Sequence, residues 1–434
     1  MIKKFIICTI VVFSTFTQAQ QGTSSPYSFY GIGSLKFKGT VENQGMGGIS
    51  VYTDSIHINL RNPASYTGKN LSLYNNEARP VKFAIGTSFS STNLKTSSAK
   101  DKADDSSVDY LALVMPTGKF GIGFGLIPYS SVGYKLQSRD EEGFLQYRYR
   151  GEGGINKVFL GTGYQLTKDL KIGFDFQYNF GSITNTTIAF GYNDEGDLLQ
   201  FQSREVKRSD LSGFSFNFGL AFTKKISQKL EIMATATHTP QANLNSVNQS
   251  QFATITIDSQ DKEYVITSSE VDLAALGLSD TNLSIPSKTS FGIGIGRPRK
   301  WFAGIDYTFL KASDFSNRFI SIDNATFKDA STLSIGGFYI PKYDSFGSYW
   351  KRIVYRAGLR LEQTGLVVNN ESINELGISF GVGLPVGRLF SNANVAFEIG
   401  QRGTTVSNLV QENFFNVNIS LSLNDRWFEK RKFN

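Results

Sequence analysis

From Val81 onward the chain repeats one pattern, an apolar residue followed by a small or polar one. In Lys119–Ile127, KFGIGFGLI, Phe120, Ile122, Phe124 and Leu126 fall on one face, and Gly121, Gly123 and Gly125 on the other. Phe174, Phe176, Tyr178 and Phe180 alternate with Gly173, Asp175, Gln177 and Asn179. The pattern returns at Phe214–Phe222, Ile378–Leu384 and Phe415–Leu423. A period of two is the period of a strand. Two kinds of sheet have one apolar and one polar face: a half-solvated sheet, and a membrane barrel with lipid outside and a polar lumen. A soluble protein would need a further layer to cover so many apolar faces, so repetition along nearly the whole chain favours the barrel. In lipid every backbone polar group must be paired internally, and the sheet must therefore close.

Strand-like stretches fall near 79–94, 106–116, 119–137, 147–166, 169–190, 198–223, 228–247, 285–297, 300–312, 329–341, 350–367, 372–385, 392–403 and 413–424, fourteen in all. An even number suits a bacterial barrel. The expected fold class is all-β, a transmembrane antiparallel β-barrel of about 14 strands occupying 79–434. Several stretches exceed the roughly 9–11 residues a tilted strand needs to cross and are expected to project beyond the membrane. Thr117-Gly118, Thr167-Lys168-Asp169, Pro298-Arg299-Lys300 and Pro385–Arg388 read as short periplasmic turns. Lys95–Asp105, Asn193–Gly196 and Asn248–Asn282 read as longer external loops, the last with a short helix over Glu270–Leu278. The tail Asp425–Asn434 sets Trp427 and Phe428 at an interface, followed by a basic end.

The N-terminus has the three parts of an export signal: basic Lys3 and Lys4, apolar Phe5–Phe16, and Thr17-Gln18-Ala19 as a small-x-small cleavage site. Residues 1–19 read as a signal peptide, the apolar run being well short of the roughly 20 residues of a spanning helix. The only cysteine, Cys8, lies inside this signal and not at a cleavage junction. A lipoprotein is therefore not expected, and the mature chain has neither a disulfide nor a thiolate metal ligand. No later stretch approaches 18 uncharged apolar residues. The net charge of +7 is spread out, with no basic patch interleaved with aromatics for nucleic acid. It suits loops beside anionic lipid headgroups, so outer-membrane lipids are an expected partner.

Between signal and barrel, residues 20–43 (containing SSPYSFYGIGSLKFKG) read as an extended aromatic arm. Gln44–Tyr66, QGMGGISVYTDSIHINLRNPASY, cannot join a strand ladder. Pro63 lacks the donor a central strand needs, and Gly45, Gly47 and Gly48 favour tight, irregular backbone. This segment reads as a hatch, and 20–78 as arm plus hatch. Asn62-Pro63 suits a capped turn. Asp54 and Arg61 are read either as anchors to the wall or as solvated charges.

Met46-Gly47-Gly48, then Asp54-Ser55, then Asn62-Pro63-Ala64 resembles the hatch pattern of the FadL/TodX family of outer-membrane transporters for hydrophobic compounds. Leu283–Pro286 with FGIGIG and Trp301–Tyr307 is similar to a proline-led strand, turn and Gly-x-Asp-Tyr strand of that family, and residues 120–134 to its third strand. The resemblance implies fourteen strands, an N-terminal hatch in the lumen, and ligands leaving sideways through a wall gap near a kink in the third strand. Pro128 and Gly133 interrupt that strand here. On the pattern alone they read as an ordinary bulge or strand end; on the resemblance, as the lateral gate. The arm and the terminal Asn434 depart from the best-known members and look like variants of the Bacteroidota, where the relative PorV serves type IX secretion.

The function this implies is passive outer-membrane transport of hydrophobic small molecules such as long-chain fatty acids. Lateral release would be favoured by about 0.8 kcal/mol per CH₂ kept out of water. The alternative is a PorV-like docking or accessory barrel serving secretion-system proteins. Either barrel needs the barrel-assembly machinery during biogenesis. No Walker loop, G-x-S-x-G element or other cofactor or catalytic motif is present. His57 and His238, the only histidines, lack metal-ligand spacing. The expectation is a non-enzyme without cofactor or metal. Arg148 and Arg150 are read either as lumen cations for a ligand carboxylate or as external residues facing lipopolysaccharide.

Overall fold

The computed structural model describes residues 22–54, 56–67, 80–320, 324–386 and 391–426. The signal region 1–19, Ser55, Gly387-Arg388 and the tail beyond Arg426 lie outside them. The arm contributes a short strand, β1 (Ser34–Leu35). The wall is built from β2 (Pro80–Lys95), β3 (Lys100–Thr117), β4 (Phe120–Arg139), β5 (Leu145–Gln165), β6 (Leu170–Ala189), β7 (Gln202–Lys225), β8 (Glu231–Thr239), β9 (Ala242–Ile257), β10 (Glu263–Glu270), β11 (Asp280–Ile285), β12 (Lys288–Arg297), β13 (Trp301–Leu310), β14 (Ala325–Phe327), β15 (Ala330–Tyr339), β16 (Val354–Val368), β17 (Glu371–Val386), β18 (Ser391–Arg402) and β19 (Gln411–Arg426). Neighbours are antiparallel, and β19 pairs with β2 from Gln411 opposite Lys95 to Arg426 opposite Pro80, which closes the barrel.

Fourteen crossings emerge once two broken strands are joined. β7 pairs with β9 along Gln202–Ser212 and with β8 along Phe218–Lys225, so β8 and β9 are halves of one crossing. β11 and β12 share the next position, facing β9 and β8 respectively. The breaks fall at Pro240 and Pro286, on adjacent strands, where a residue without a donor interrupts the ladder. The alternation sorts as lipid outside and polar groups within. Phe120, Ile122, Phe124 and Leu126 are exposed, whereas Asp175, Gln177 and Asn179 are buried.

Two expected loops are largely strand. β3 starts at Lys100, leaving only 96–99 as the turn, because a barrel strand continues past the membrane wherever its partner β2 extends to meet it. β9 runs on to Ile257 and returns as β10, pairing Glu263 with Ile257 through Glu270 with Gln251, a hairpin that stands outside the membrane. The helix expected over Glu270–Leu278 is a set of turns. A nine-residue stretch with Gly277 at φ +63 does not repay the cost of helix nucleation.

Candidate functional site

The N-terminal segment sits in the lumen, and its irregular backbone is matched to glycines of the wall. Gly47 and Gly48 take φ +72 and +87, open to glycine at little cost. The turn they make lies backbone to backbone on the wall. A Cβ on Gly358 would fall 2.1 Å from the Met46 carbonyl carbon, and one on Gly336 2.3 Å from the Met46 oxygen. Gly45 faces Gly381, and the Gly47 N–H donates to Ser379 Oγ at 2.8 Å. Asn62 caps the 3₁₀ turn Pro63–Tyr66 by accepting from the Ala64 N–H, and its amide donates to the Leu220 carbonyl on β7. Pro63 and Ala64 press on Gly173, and Tyr66 on Gly121, Gly123 and Gly161. The small residues that alternate with the lipid-facing aromatics are thus sockets for the hatch.

Arg61 links the hatch to the wall. Its guanidinium donates to the Gly48 carbonyl and, at 3.0 Å, to Thr308 Oγ1 on β13, with Asp306 3.9 Å away. Asp54 works within the hatch. Its carboxylate accepts from the backbone of Ile56 and His57 and lies 2.7 Å from His57 Nδ1. Burial raises its pKa, but His57 and Lys82 outweigh burial and hold it well below the usual carboxylate range. Lys82 of β2 donates to the Asp54 and His57 carbonyls. Further contacts were not apparent in the sequence: Ser50 bonds Asp306 through both its N–H and its hydroxyl, and Glu42 accepts from Asn394 and Ser422.

On the β16–β19 side the lumen carries an ion-pair network. Buried Glu375 accepts from Lys38 and Arg360 and pairs with Arg402. Arg360 also binds Glu362 and Glu398, and Arg402 approaches Glu412. Ser25 of the arm donates to Glu412. Glu375, Arg402 and Glu412 stand directly across from one another on β17, β18 and β19. The available signal was charge on the lumen-facing phase of membrane strands, where ionisable groups are costly and usually paired.

Between β3 and β4 the wall opens into a seam. These strands pair only from Thr117 opposite Phe120 to Leu111 opposite Leu126. Pro128 lies where β4 shifts register against β5, and from there outward β3 and β4 part. The arm fills the seam. β1 pairs with β4, Ser34 opposite Ser131 and Leu35 opposite Ser130, and the Lys36 N–H donates to the Tyr129 carbonyl. Gly133 donates to Ser28 Oγ, and a Cβ there would fall 1.9 Å from the Thr23 oxygen. Towards β3, Ser24 Oγ reaches the Asp104 carbonyl at 3.4 Å. Behind the seam lies a cavity of about 110 Å³ lined by Lys36, Lys38, Asp109, Glu375, Arg402 and Glu412 among others. Above it Phe29 meets Tyr134 and Tyr149 edge-on, and Ile32 packs with Val132, Ile155 and Ile183, so the arm occupies the apolar upper lumen.

A second cavity, about 650 Å³, opens at the outer end beside Tyr30, Phe315, Phe327, Asn282 and Arg318. Arg148 pairs with Asp261 at 2.8 Å, and Arg150 and Arg204 with Glu263. These cations therefore fasten the β9–β10 hairpin to the upper wall. His238 is exposed and bonds Thr289. Among the described residues no group of three His, Cys, Asp or Glu could hold a metal ion.

No curated protein matches the sequence. The Pseudomonas putida toluene transporter TodX has a similar structure at 16% identity and TM-score 0.57, over 89% of this chain and 97% of that one. The monoaromatic hydrocarbon channel CymD matches at 13% and 0.54, over 90% and 98%, and a Pseudomonas aeruginosa FadL homologue at 11% and 0.56, over 89% and 98%. At these identities the likeness is one of fold. The family model for BamG matches residues 1–434. A closed fourteen-strand barrel with a luminal hatch, apolar on its outside and built like the FadL channels, this chain is an outer-membrane protein and belongs to the BamG family.

Proposed function

We propose that the protein is a plugged accessory barrel, a docking component that works with the barrel-assembly machinery in the outer membrane and does not pass hydrophobic compounds. One observation carries this reading: the wall seam leads to an ion-paired interior, with Lys38, Glu375 and Arg402 behind it and the chain's own arm inside it. A hydrophobic solute gains about 0.8 kcal/mol per CH₂ only where its path is apolar. Here it would have to displace the arm and face a charged network. The Bam prefix of the family's name agrees with a role beside the assembly machinery. The chemistry is binding, without catalysis.

The test is depletion of the protein in its host. Loss of heat-modifiable outer-membrane barrels with unchanged uptake of labelled oleate and toluene is the expected outcome. Loss of uptake with normal barrel levels would sink the docking reading. It would favour a second one, a passive channel for hydrophobic compounds such as long-chain fatty acids with Pro128 and Gly133 at its lateral gate. The outer cavity of about 650 Å³ beside Tyr30, Phe315 and Phe327 supports that second reading, as does the fold shared with TodX and CymD.

A further inference from the structure

The seam leaves strand edges that a barrel otherwise abolishes. Lys100–Tyr110 of β3 pairs with β2 on one side only. Among the described residues no backbone-to-backbone hydrogen bond joins this stretch to the arm or to β4; Ser24 reaches it through a side chain. On the opposite bank, the free edge of β4 beyond Leu126 receives β1, the Lys36 N–H and, at Gly133, the Ser28 hydroxyl. The gap begins within the lipid-facing band, where Val108, Leu111 and Leu126 are exposed, and continues past it along strands that carry charges, Lys102 and Asp104 on β3 and Lys135 and Arg139 on β4. Charged edges oppose indiscriminate pairing. Eleven residues of free β3 edge span roughly 33 Å, the length of a long strand.

We infer that the β3–β4 seam is a β-strand acceptor, held closed by residues 22–36, and that its ligand is an extended strand of another outer-membrane protein that replaces the arm. The inference rests on the docking reading and names the site at which docking takes place. The arm demonstrates that the β4 edge takes an antiparallel strand, since Ser34 and Leu35 occupy it. It holds that edge by a two-residue ladder, the Lys36 N–H and the Ser28 hydroxyl, whereas the wall strands pair over far longer runs. A longer incoming strand would satisfy β4 and also the backbone of β3 that the arm leaves unpaired. Main-chain pairing supplies affinity in such strand addition, and alternate side chains supply selectivity.

The test uses the full chain, with Ser34→Cys and Ser131→Cys introduced together. These residues are direct cross-strand partners, a spacing that suits a disulfide, and the one native cysteine, Cys8, lies in the segment that reads as the export signal. The probe is a fluorescent peptide of residues 411–426, a barrel strand of known alternation, with a scrambled peptide as control. Purified wild-type protein and the reduced double variant are expected to bind the probe saturably and with preference over the scramble. Oxidation of the double variant should weaken binding by at least about tenfold, and reduction should restore it. Equal binding by the oxidised and reduced forms, or no preference over the scramble, overturns the seam as acceptor. Heat-modifiability of both forms checks that the lock leaves the barrel folded. Because the assay needs only purified protein and peptide, its failure is separate from any result of the depletion experiment.

Discussion

At Gly358 a single methyl group decides whether the hatch can seat. A Cβ there meets two backbone atoms, the Met46 carbonyl carbon at 2.1 Å and the Gly47 nitrogen at 2.2 Å, and neither can swing aside as a side-chain tip would. Gly358→Ala should cost about 1–3 kcal/mol, as overpacking does, and the cost falls on the hatch because wall pairing through β15 and β17 needs no side chain there. The expected result is a heat-modifiable barrel with raised conductance in planar bilayers. Gly347→Ala, with nothing within 4 Å of its added Cβ, should leave conductance unchanged. Arg61→Ala tests the other anchor. It leaves the Gly48 carbonyl and Thr308 without the guanidinium and takes a cation from beside buried Asp306. Hydrogen bonds from charged groups contribute about 1.5–3 kcal/mol, so limited chymotrypsin should cut faster at Tyr52 and Tyr66 in this variant. Cutting at the wild-type rate would show that glycine packing alone holds the hatch.

Glu375 on β17 ties together strands that the barrel closure only lays side by side. It takes Lys38 from the hatch side, Arg360 from β16 and Arg402 from β18. Glu375→Ala leaves three cations facing a buried site, and breaking a buried pair by removing one partner costs about 3–5 kcal/mol. The purified variant should unfold in urea well below the wild-type midpoint, with Glu375→Gln between them; an unchanged midpoint for Glu375→Ala would mean water replaces the carboxylate. The network also marks where sequence reading stops. Alternation tells which face Glu375, Glu398 and Glu412 share, because a strand has a period of two. It says nothing of their height, which depends on turn lengths and on the register that sets Glu375 opposite Arg402 and Arg402 opposite Glu412. For the same reason Gly121, Gly123 and Gly173 were legible as small residues on the inner face but not as seats for Tyr66 and Pro63, and the Arg148 and Arg150 partners on the β9–β10 hairpin were out of reach.

For the molecule as a whole, the fourteen crossings could be read because lipid permits only a closed sheet, and the hatch because Pro63 lacks the donor that a ladder needs and the glycines around Met46 favour irregular backbone. The place of the extended arm was not legible, since its aromatics, Tyr27, Phe29 and Tyr30, carry no periodicity and gain their meaning only from the space that β3 and β4 leave between them. Its removal separates the two functional readings. Deleting residues 22–36 takes no strand from the closed wall and no residue from the glycine sockets that hold Gly45–Tyr66. The barrel should therefore still reach the outer membrane, and the hatch should still exclude hydrophilic solutes. What opens is the seam and the apolar pocket around Tyr134, Val132 and Ile155 that Phe29 and Ile32 had filled. A hydrophobic-compound channel with its strap removed would take up labelled oleate several-fold faster, limited no longer by arm displacement. A docking barrel would instead show unchanged uptake, because Lys38, Glu375 and Arg402 still stand in the path. It would also show altered assembly of other barrels, because the strand edge is permanently bare. The docking reading predicts the second outcome; faster oleate uptake in the deletion strain, with barrel levels normal, would refute it.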